Sequence, residues 1–97
     1  MYEVQQTSVY GAWFRSLRDR AAKGRIVARI ERVQLGNFGD AKSVGEGVHE
    51  LRVDFGPDYR VYFTRRGTRI VPLLCGGDKG SQSRDIAHAK QIASELE

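Results

Sequence analysis

A chain of 97 residues can bury one hydrophobic core and is short for a second, so we expect a single domain over residues 1–97. Hydrophobic residues make up 40% of the sequence and only two residues are proline, which excludes a disordered polypeptide. The formal net charge is +4, and arginine outnumbers lysine twelve to four. Guanidinium groups suit phosphate recognition, so this bias favours nucleic acid as a partner, with ordinary solubilising surface charge as the alternative.

The first third of the chain is predicted to form a short strand and two helices. Residues 2–6 indicate an edge strand, and Thr7 or Ser8 can cap the helix that follows. A second helix is predicted over residues 21–35, after a tight connection at Asp19 and Arg20. The apolar face of the first helix has the spacing i, i+3, i+4 and i+7 and consists of Tyr10, Trp13, Phe14 and Leu17.

Residues 36–47 are rich in glycine and are predicted to form a loop. Three strands are predicted after it: "VHELRVDF", "YRVYFTR" and "RIVPLLC". Side chains alternate between the two faces of a strand, so Leu51 and Val53 share one face and Arg52 takes the other. The third strand is apolar almost throughout and is predicted to be central, with Pro72 at a bulge or an unpaired position.

The last helix is predicted to begin near Ser81 or Ser83, and the element order is then βααβββα. Its apolar face has helical spacing and consists of Ile86, Ala89, Ala93 and Leu96. We therefore expect an α+β fold in which a small antiparallel sheet carries two N-terminal helices and a C-terminal helix on one face.

Cysteine and histidine form no catalytic or metal-binding pattern. The single cysteine, Cys75, excludes an internal disulfide and is expected in the core. His49 alternates with core residues and is expected to be buried and hydrogen-bonded, and His88 has no neighbouring ligand. We expect no metal and no cofactor. No signal peptide and no membrane-spanning run is visible, so we also expect a cytoplasmic protein without membrane contacts.

The strand alternation also predicts a pair of arginines on the face opposite the apolar one. Arg52 and Arg60 lie on neighbouring strands joined by a short turn. Two adjacent guanidinium groups repel unless an anion lies between them, and a phosphodiester fits because its charge-assisted hydrogen bonds to arginine are strong. Lys79, after the third strand, and Lys42, in the glycine-rich loop, are predicted to reach the same region.

Several of these features have a second interpretation. Glu50 and Asp54 flank Arg52 on its own face, so a surface ion-pair ladder would explain it, whereas Arg60 has no close acidic neighbour on its face. The segment "GGDKGS" lacks the spacing of a Walker phosphate loop and indicates either a weak anion site or a strand-to-helix turn. A basic stripe on the second helix is more typical of a solvated face than of partner binding; it consists of Arg25, Arg29 and Arg32.

Three segments carry a family pattern: "FRSLRD", "RIVARIERVQLGNFGDAKSVGEGVHELRVDFGPDYRVYF" and "LLCGGDKGSQSRDIAHAK". Their combination resembles the RelE/ParE superfamily of toxins from type II toxin–antitoxin modules, and within it the HigB-like, phage-derived Gp49-like branch of addiction module killer proteins. The resemblance covers nearly the whole chain and implies a RelE-like fold. It also implies a toxin that cuts messenger RNA, in many members on the ribosome. A cognate antitoxin, usually a helix-turn-helix DNA-binding protein, would neutralise it.

The resemblance implies roles for particular residues. Arg60, in "YRV", matches the cation that stabilises the transition state or binds the phosphate. Arg52 matches the cation of the preceding strand, and Lys79 matches the cation after the last strand, so these three are the predicted catalytic residues. The residues predicted to bind substrate are Lys42, Asp78 and Tyr62.

The chain departs from the family pattern where protons would be transferred. Many ribonuclease members carry a tyrosine or histidine in the last helix, whereas this chain has Ile86 there, with His88 nearby. Some relatives use a loop glutamate as a base, and Asp40 is its nearest analogue. The implied activity is that of a metal-independent endoribonuclease. The alternatives are a ParE-like toxin that binds DNA gyrase and an RNA-binding domain without chemistry.

Overall fold

The computed structural model describes residues 1–96, so the predicted domain over residues 1–97 includes one residue, Glu97, that lies outside the described part. The chain forms, in order, β1 (Glu3–Gln6), α1 (Ser8–Ser16), α2 (Arg20–Gln34), β2 (Ala41–Gly45), β3 (Val48–Val53), β4 (Tyr59–Phe63), β5 (Ile70–Gly77) and α3 (Gln82–Glu95). A single 3-10 turn over Lys79–Ser81 connects β5 to α3. Within residues 1–96, no helix is long and apolar enough to span a membrane.

The five strands form one mixed sheet in the order β1-β5-β4-β3-β2. Strands β2 to β5 are antiparallel, as predicted, because short turns join them. The expectation of a wholly antiparallel sheet is wrong for β1, which pairs with β5 in parallel. Most of the chain separates these two strands, so no hairpin constrains their relative direction. The predicted edge position of β1 and the interior position of β5 are confirmed.

Strand β2 was missed by the sequence analysis, which predicted a loop over residues 36–47. Residues 41–45 instead form an edge strand in which Lys42 pairs with Glu50 of β3. The two-residue turn that follows has positive φ at both positions, 55° at Glu46 and 77° at Gly47. Such hairpin turns favour glycine, while strands are depleted of it. Because the turn and its surroundings are rich in glycine, the strand beside the turn was not predicted from the sequence.

Side-chain caps begin both N-terminal helices close to the predicted positions. The Thr7 hydroxyl accepts from the backbone amide of Tyr10 at 3.1 Å and donates to the carbonyl of Leu73 at 2.9 Å, which ties the start of α1 to β5. The Asp19 carboxylate accepts from the amides of Ala21 and Ala22 at 2.9 and 3.2 Å and caps α2.

The helices cover both faces of the sheet, so the expectation that all three lie on one face is wrong. Helices α1 and α2 pack against one face, through Tyr10 and Ile26 among others, whereas α3 packs against the opposite face through Ala89. The reason lies in β5. A register shift at Leu74 turns Leu73 toward α1 and α2 and both Leu74 and Cys75 toward α3, so both faces need an apolar cover.

Candidate functional site

Two rows of cross-strand neighbours run across the face that carries α3. The first row is Lys42, Glu50, Tyr62 and Cys75, and the second row is Arg52, Arg60 and Gly77. Directly opposed residues have Cβ atoms about 4.5–5.5 Å apart. The predicted side-by-side placement of Arg52 and Arg60 on neighbouring strands is therefore confirmed.

The two arginines differ in burial. The side chain of Arg52 is 36% exposed, whereas that of Arg60 is 9% exposed. The expectation of two cations on a bare face is therefore wrong for Arg60, because α3 packs on this face beside the second row. What the structure presents is one accessible guanidinium and, directly beside it, a second that is almost fully buried.

A buried carboxylate, that of Glu50, contacts both arginines. Its Oε1 accepts a hydrogen bond from Nε of Arg52 at 3.1 Å, and its Oε2 lies 3.7 Å from Nε of Arg60. The expectation that Arg60 has no acidic neighbour on its face is wrong, because Glu50 lies diagonally across the β3–β4 pair. Two guanidinium groups share one carboxylate, so the three side chains carry a net charge of +1.

Two neutral donors complete the surroundings of Glu50. Its Oε2 accepts from the Tyr62 hydroxyl at 3.3 Å and from the Gln82 side-chain amide at 2.7 Å. Burial raises the pKa of Glu50, but hydrogen bonds from Gln82 and Arg52 and the charges of both arginines lower it more, so the pKa falls below its ordinary value. The group is a fully buried, ionised carboxylate.

Tyr62 lies between the sheet and α3 and is fully buried. Burial, and then the charges of Glu50 and Asp85, raise the pKa of its phenol above the ordinary value, so the phenol remains a hydrogen-bond donor to Glu50. This position does not support the predicted contact of Tyr62 with substrate. Instead, the side chain supports the carboxylate that the arginines share.

Arg60 has donors without acceptors. Its Nε and Nη1 atoms are buried and make no hydrogen bond within residues 1–96; the ion pair with Glu50, at 3.7 Å, is too long to count as one. Most buried polar atoms in folded proteins have a hydrogen-bond partner, and leaving a charged one without a partner costs free energy. Both atoms are closed to solvent, so an anion beside Arg60 would contact the guanidinium group through the remaining, 9% exposed part of the side chain.

Lys79 and Asp78 lie at the same end of the sheet. The backbone amide of the exposed Lys79 donates to the carbonyl of Pro57 at 3.3 Å, which places it beside the turn between β3 and β4. The Asp78 carboxylate accepts from the amides of Gly80 and Ser81 at 2.8 and 3.2 Å. These are amides that an external anion would have used, so the structure supports the strand-to-helix turn. The exposed Lys42 lies on the same face, at the sheet's β2 edge.

The adjacent glycines at the end of β5 allow close packing from both sides. A Cβ atom on Gly76 would collide with the Trp13 ring of α1, and one on Gly77 would lie 2.8 Å from the Ser81 hydroxyl and would also collide with Asp85. Asp85 accepts a hydrogen bond from Ser81 and lies over Gly77, the cross-strand neighbour of Arg60. This carboxylate was not among the predicted site residues; its one signal in the sequence is its position in the first turn of α3.

The basic stripe of α2 is partly structural. Arg29 donates from Nε to the carbonyl of Arg52 at 3.2 Å and from its terminal nitrogens to the carbonyls of Phe38 and Asp40 at 3.2 Å. Burial and the charge of Arg32 lower the pKa of Arg29. The stripe borders a groove of about 440 Å³ that reaches Arg52.

His49, Cys75 and His88 differ in burial. The half-buried His49 stacks on Phe63 with ring centroids 5.3 Å apart, but its Nδ1 has no hydrogen-bond partner in the described chain, contrary to expectation. Cys75 is buried as predicted, and burial and then the Asp85 charge raise its pKa to about 12. His88 is exposed. Residues 1–96 contain no group of three or more His, Cys, Asp or Glu side chains placed to hold a metal ion.

Fold and site define a class: a small α+β protein with an arginine pair and a shared buried glutamate at one end of its sheet. Residues 12–96 match the family described as "Phage derived protein Gp49-like (DUF891)". An uncharacterized protein of Haemophilus influenzae (strain ATCC 51907 / DSM 11121 / KW20 / Rd) is 48% identical over 94 residues, which are 97% of this chain and 95% of that protein. The chain belongs to the phage-derived Gp49-like family of addiction module toxins, and the resemblance inferred from the sequence is confirmed.

Proposed function

We propose that this chain is the toxin of a type II toxin–antitoxin module and that it is a metal-independent endoribonuclease acting on messenger RNA at the ribosome, in the cytoplasm. Its partner would be a cognate antitoxin, in most modules of this type a helix-turn-helix DNA-binding protein. One observation carries the proposal: Arg60 is buried with unpaired donors, directly beside the half-exposed Arg52. The net charge of +1 on Arg52, Arg60 and Glu50 matches the single negative charge of a phosphodiester.

In the proposed reaction the 2′-oxygen of a bound nucleotide attacks the adjacent phosphorus. A bond forms between the 2′-oxygen and phosphorus, and the bond from phosphorus to the 5′-oxygen of the next nucleotide breaks. The products are a 2′,3′-cyclic phosphate and a 5′-hydroxyl. The nucleophile is already tethered to the phosphate, so alignment and charge stabilisation supply most of the required catalysis. Arg60 and Arg52 would stabilise the extra negative charge on the phosphorane.

The proton leaves the 2′-hydroxyl and a proton reaches the departing 5′-oxygen. Arginine cannot carry either proton near neutral pH. Lys79, exposed beside the turn between β3 and β4, is the proposed donor of the proton to the 5′-oxygen; water takes the 2′-hydroxyl proton and reprotonates Lys79. Lys42 at the β2 edge would hold a neighbouring phosphate. Asp78 is engaged in capping amides and is less suited to either task.

The test replaces Arg60 by alanine and compares it with Arg69→Ala, which removes the same charge from an exposed position beside β5 at the opposite end of the strand. Each variant is induced in bacterial cells, and message ends are mapped while protein and DNA synthesis are followed by pulse labelling. We expect cleavage to fall about 100- to 1,000-fold in Arg60→Ala, as for the loss of a charge-stabilising donor, and to be unchanged in Arg69→Ala.

Folding is checked by circular dichroism of the purified variants. If Arg60→Ala does not fold, Arg52→Ala repeats the comparison, because that side chain is half-exposed. A folded Arg60→Ala that cleaves messages at the wild-type rate would overturn the proposal. Intact messages with an early stop in DNA replication would favour the gyrase-binding alternative, and intact messages with blocked translation would favour RNA binding without chemistry.

A further inference from the structure

We infer that Glu50 is a positioning residue of the proposed nuclease site: it accepts from Nε of Arg52 and faces Nε of Arg60, so that the terminal nitrogens of Arg52 and Nη2 of Arg60 remain available to the scissile phosphate. This inference rests on the proposed function and deepens it. Glu50 would touch neither RNA nor the reacting atoms, since its carboxylate is completely buried.

Every contact of the carboxylate fixes a different part of the site. Oε1 accepts from Arg52 on its own strand, and Oε2 faces Arg60 on β4. Oε2 also accepts from Tyr62 of β4 and from Gln82 of α3. Two strands and one helix thus determine the position of Glu50. The Glu50 carboxylate in turn orients the two guanidinium groups.

The arginines use only one donor edge in this arrangement. A guanidinium group has five N–H donors, of which the Nε–H of Arg52 is committed to Glu50 and that of Arg60 faces it. Neither guanidinium makes any other side-chain hydrogen bond within residues 1–96. The terminal nitrogens of Arg52 therefore retain their donors and can form paired hydrogen bonds to phosphate oxygens. In Arg60, Nη1 is buried, so Nη2 is the terminal nitrogen that can reach a phosphate.

Stability alone does not explain a buried glutamate at this point. Replacing a buried ion pair by well-packed apolar residues is often neutral or stabilising, so a hydrophobic side chain would serve the core as well. A preorganised pair of cations, in contrast, needs no rearrangement when charge develops in the transition state. Removing the carboxylate charge would raise the net positive charge of the cluster, but the two guanidinium groups would no longer be held in fixed orientations.

The changes in charge and in orientation have different effects on RNA binding and on catalysis. In Glu50→Gln the net charge of the cluster rises from +1 to +2, so attraction for RNA should not weaken. The guanidinium groups lose their shared acceptor, so the transition state should lose its alignment. An interaction that acts in the transition state affects kcat, whereas uniform binding affects KM. We therefore expect a lower kcat with an unchanged or lower KM.

The experiment measures kcat and KM for cleavage of ribosome-bound message by the purified wild type, Glu50→Gln, Glu50→Asp and the exposed control Glu95→Gln, with melting temperatures for each. We expect kcat per folded molecule to fall roughly 100-fold in Glu50→Gln, the size of effect that a misplacement of about 1 Å can produce. Glu50→Asp keeps the charge but reaches less far, so it should lie between Glu50→Gln and wild type. Glu95→Gln should match the wild type.

An NMR measurement tests the same geometry without cleavage. The ¹⁵N-labelled wild type should show a slowly exchanging Nε–H signal from Arg52, and this signal should lose its protection in Glu50→Gln. If the wild type cleaves no RNA, the proposed function fails and the catalytic role of Glu50 fails with it. If the wild type cleaves RNA, the inference alone fails when Glu50→Gln retains wild-type kcat per folded molecule, or when the Arg52 signal stays protected in it. Should Glu50→Gln not fold, Glu50→Asp is judged by the same criteria.

Discussion

The two faces of this sheet are built from the same strands and serve different ends. The face under α1 and α2 buries one continuous apolar cluster, which includes Leu51, Val61 and Phe63. The face under α3 buries a smaller apolar cluster, which includes Val48, Leu74 and Ala89, and it becomes ionic at Glu50, Arg52 and Arg60. We expect the face with the larger apolar cluster to contribute most of the stability, while the other face gives part of its burial to charged groups.

On β5, two consecutive residues mark the change from the apolar face to the ionic face. Gly76 admits the Trp13 ring on the first face, and its neighbour Gly77 admits Ser81 and Asp85 on the second. On one face close packing brings an aromatic ring onto the sheet, and on the other it brings polar groups next to Arg60. The same local feature, two glycines in sequence, supports an apolar core on one side and the candidate site on the other.

The largest effect is expected from truncating a side chain on the apolar face. Phe63 is 2% exposed and stacks on Phe38 and His49. Phe63→Ala should lower the free energy of unfolding by about 3–5 kcal/mol, because it removes buried apolar area and leaves a cavity. Val27→Ala, at a position 42% exposed on α2, should change it by less than about 0.5 kcal/mol. Chemical denaturation measures both, and equal losses would contradict the assignment of stability to this face.

On the ionic face, a second prediction concerns the removal of the Arg60 charge and then of its partner, the Glu50 carboxylate. Arg60→Met should lower the free energy of unfolding by less than the about 3–5 kcal/mol of a fully broken buried pair, because Glu50 keeps Arg52, Tyr62 and Gln82 as partners. Adding Glu50→Leu should recover much of that loss while cleavage remains abolished. The free energies come from denaturant unfolding of the two single variants and the double variant. Additive losses would mean that this face, too, is arranged for stability.

A smaller effect is expected on the stability of the protein at acid pH. The pKa of Glu50 lies below its unfolded value of about 4.3, so between the two values the unfolded chain binds more protons and stability rises with pH. The stabilisation is complete above about pH 4.3 and is lost as pH falls toward the lower folded pKa. Unfolding free energies between pH 3 and 7 should therefore decline less steeply in Glu50→Gln than in wild type. Identical slopes would mean that the carboxylate is not stabilised in its ionised form.

The sequence predicted much of this arrangement because strand and helix periods assign each side chain to a face. It predicted the cap at Thr7, the pairing of Arg52 with Arg60, and the burial of Cys75. It did not predict β2, whose glycines are typical of a turn, or the capping role of Asp78, whose acceptor amides come from the local backbone of the turn.

By itself the sequence determined which residues share a face and to which family the chain belongs, because both follow from order along the chain. Only the tertiary structure decided that α3 crosses to the other side of the sheet and that Glu50 reaches Arg60. The physical reason is that periodicity fixes the face to which a side chain points. It does not fix which residue lies diagonally across the strand pair or which helix packs over that face. Those depend on strand register and helix packing, which residues distant in the sequence determine together.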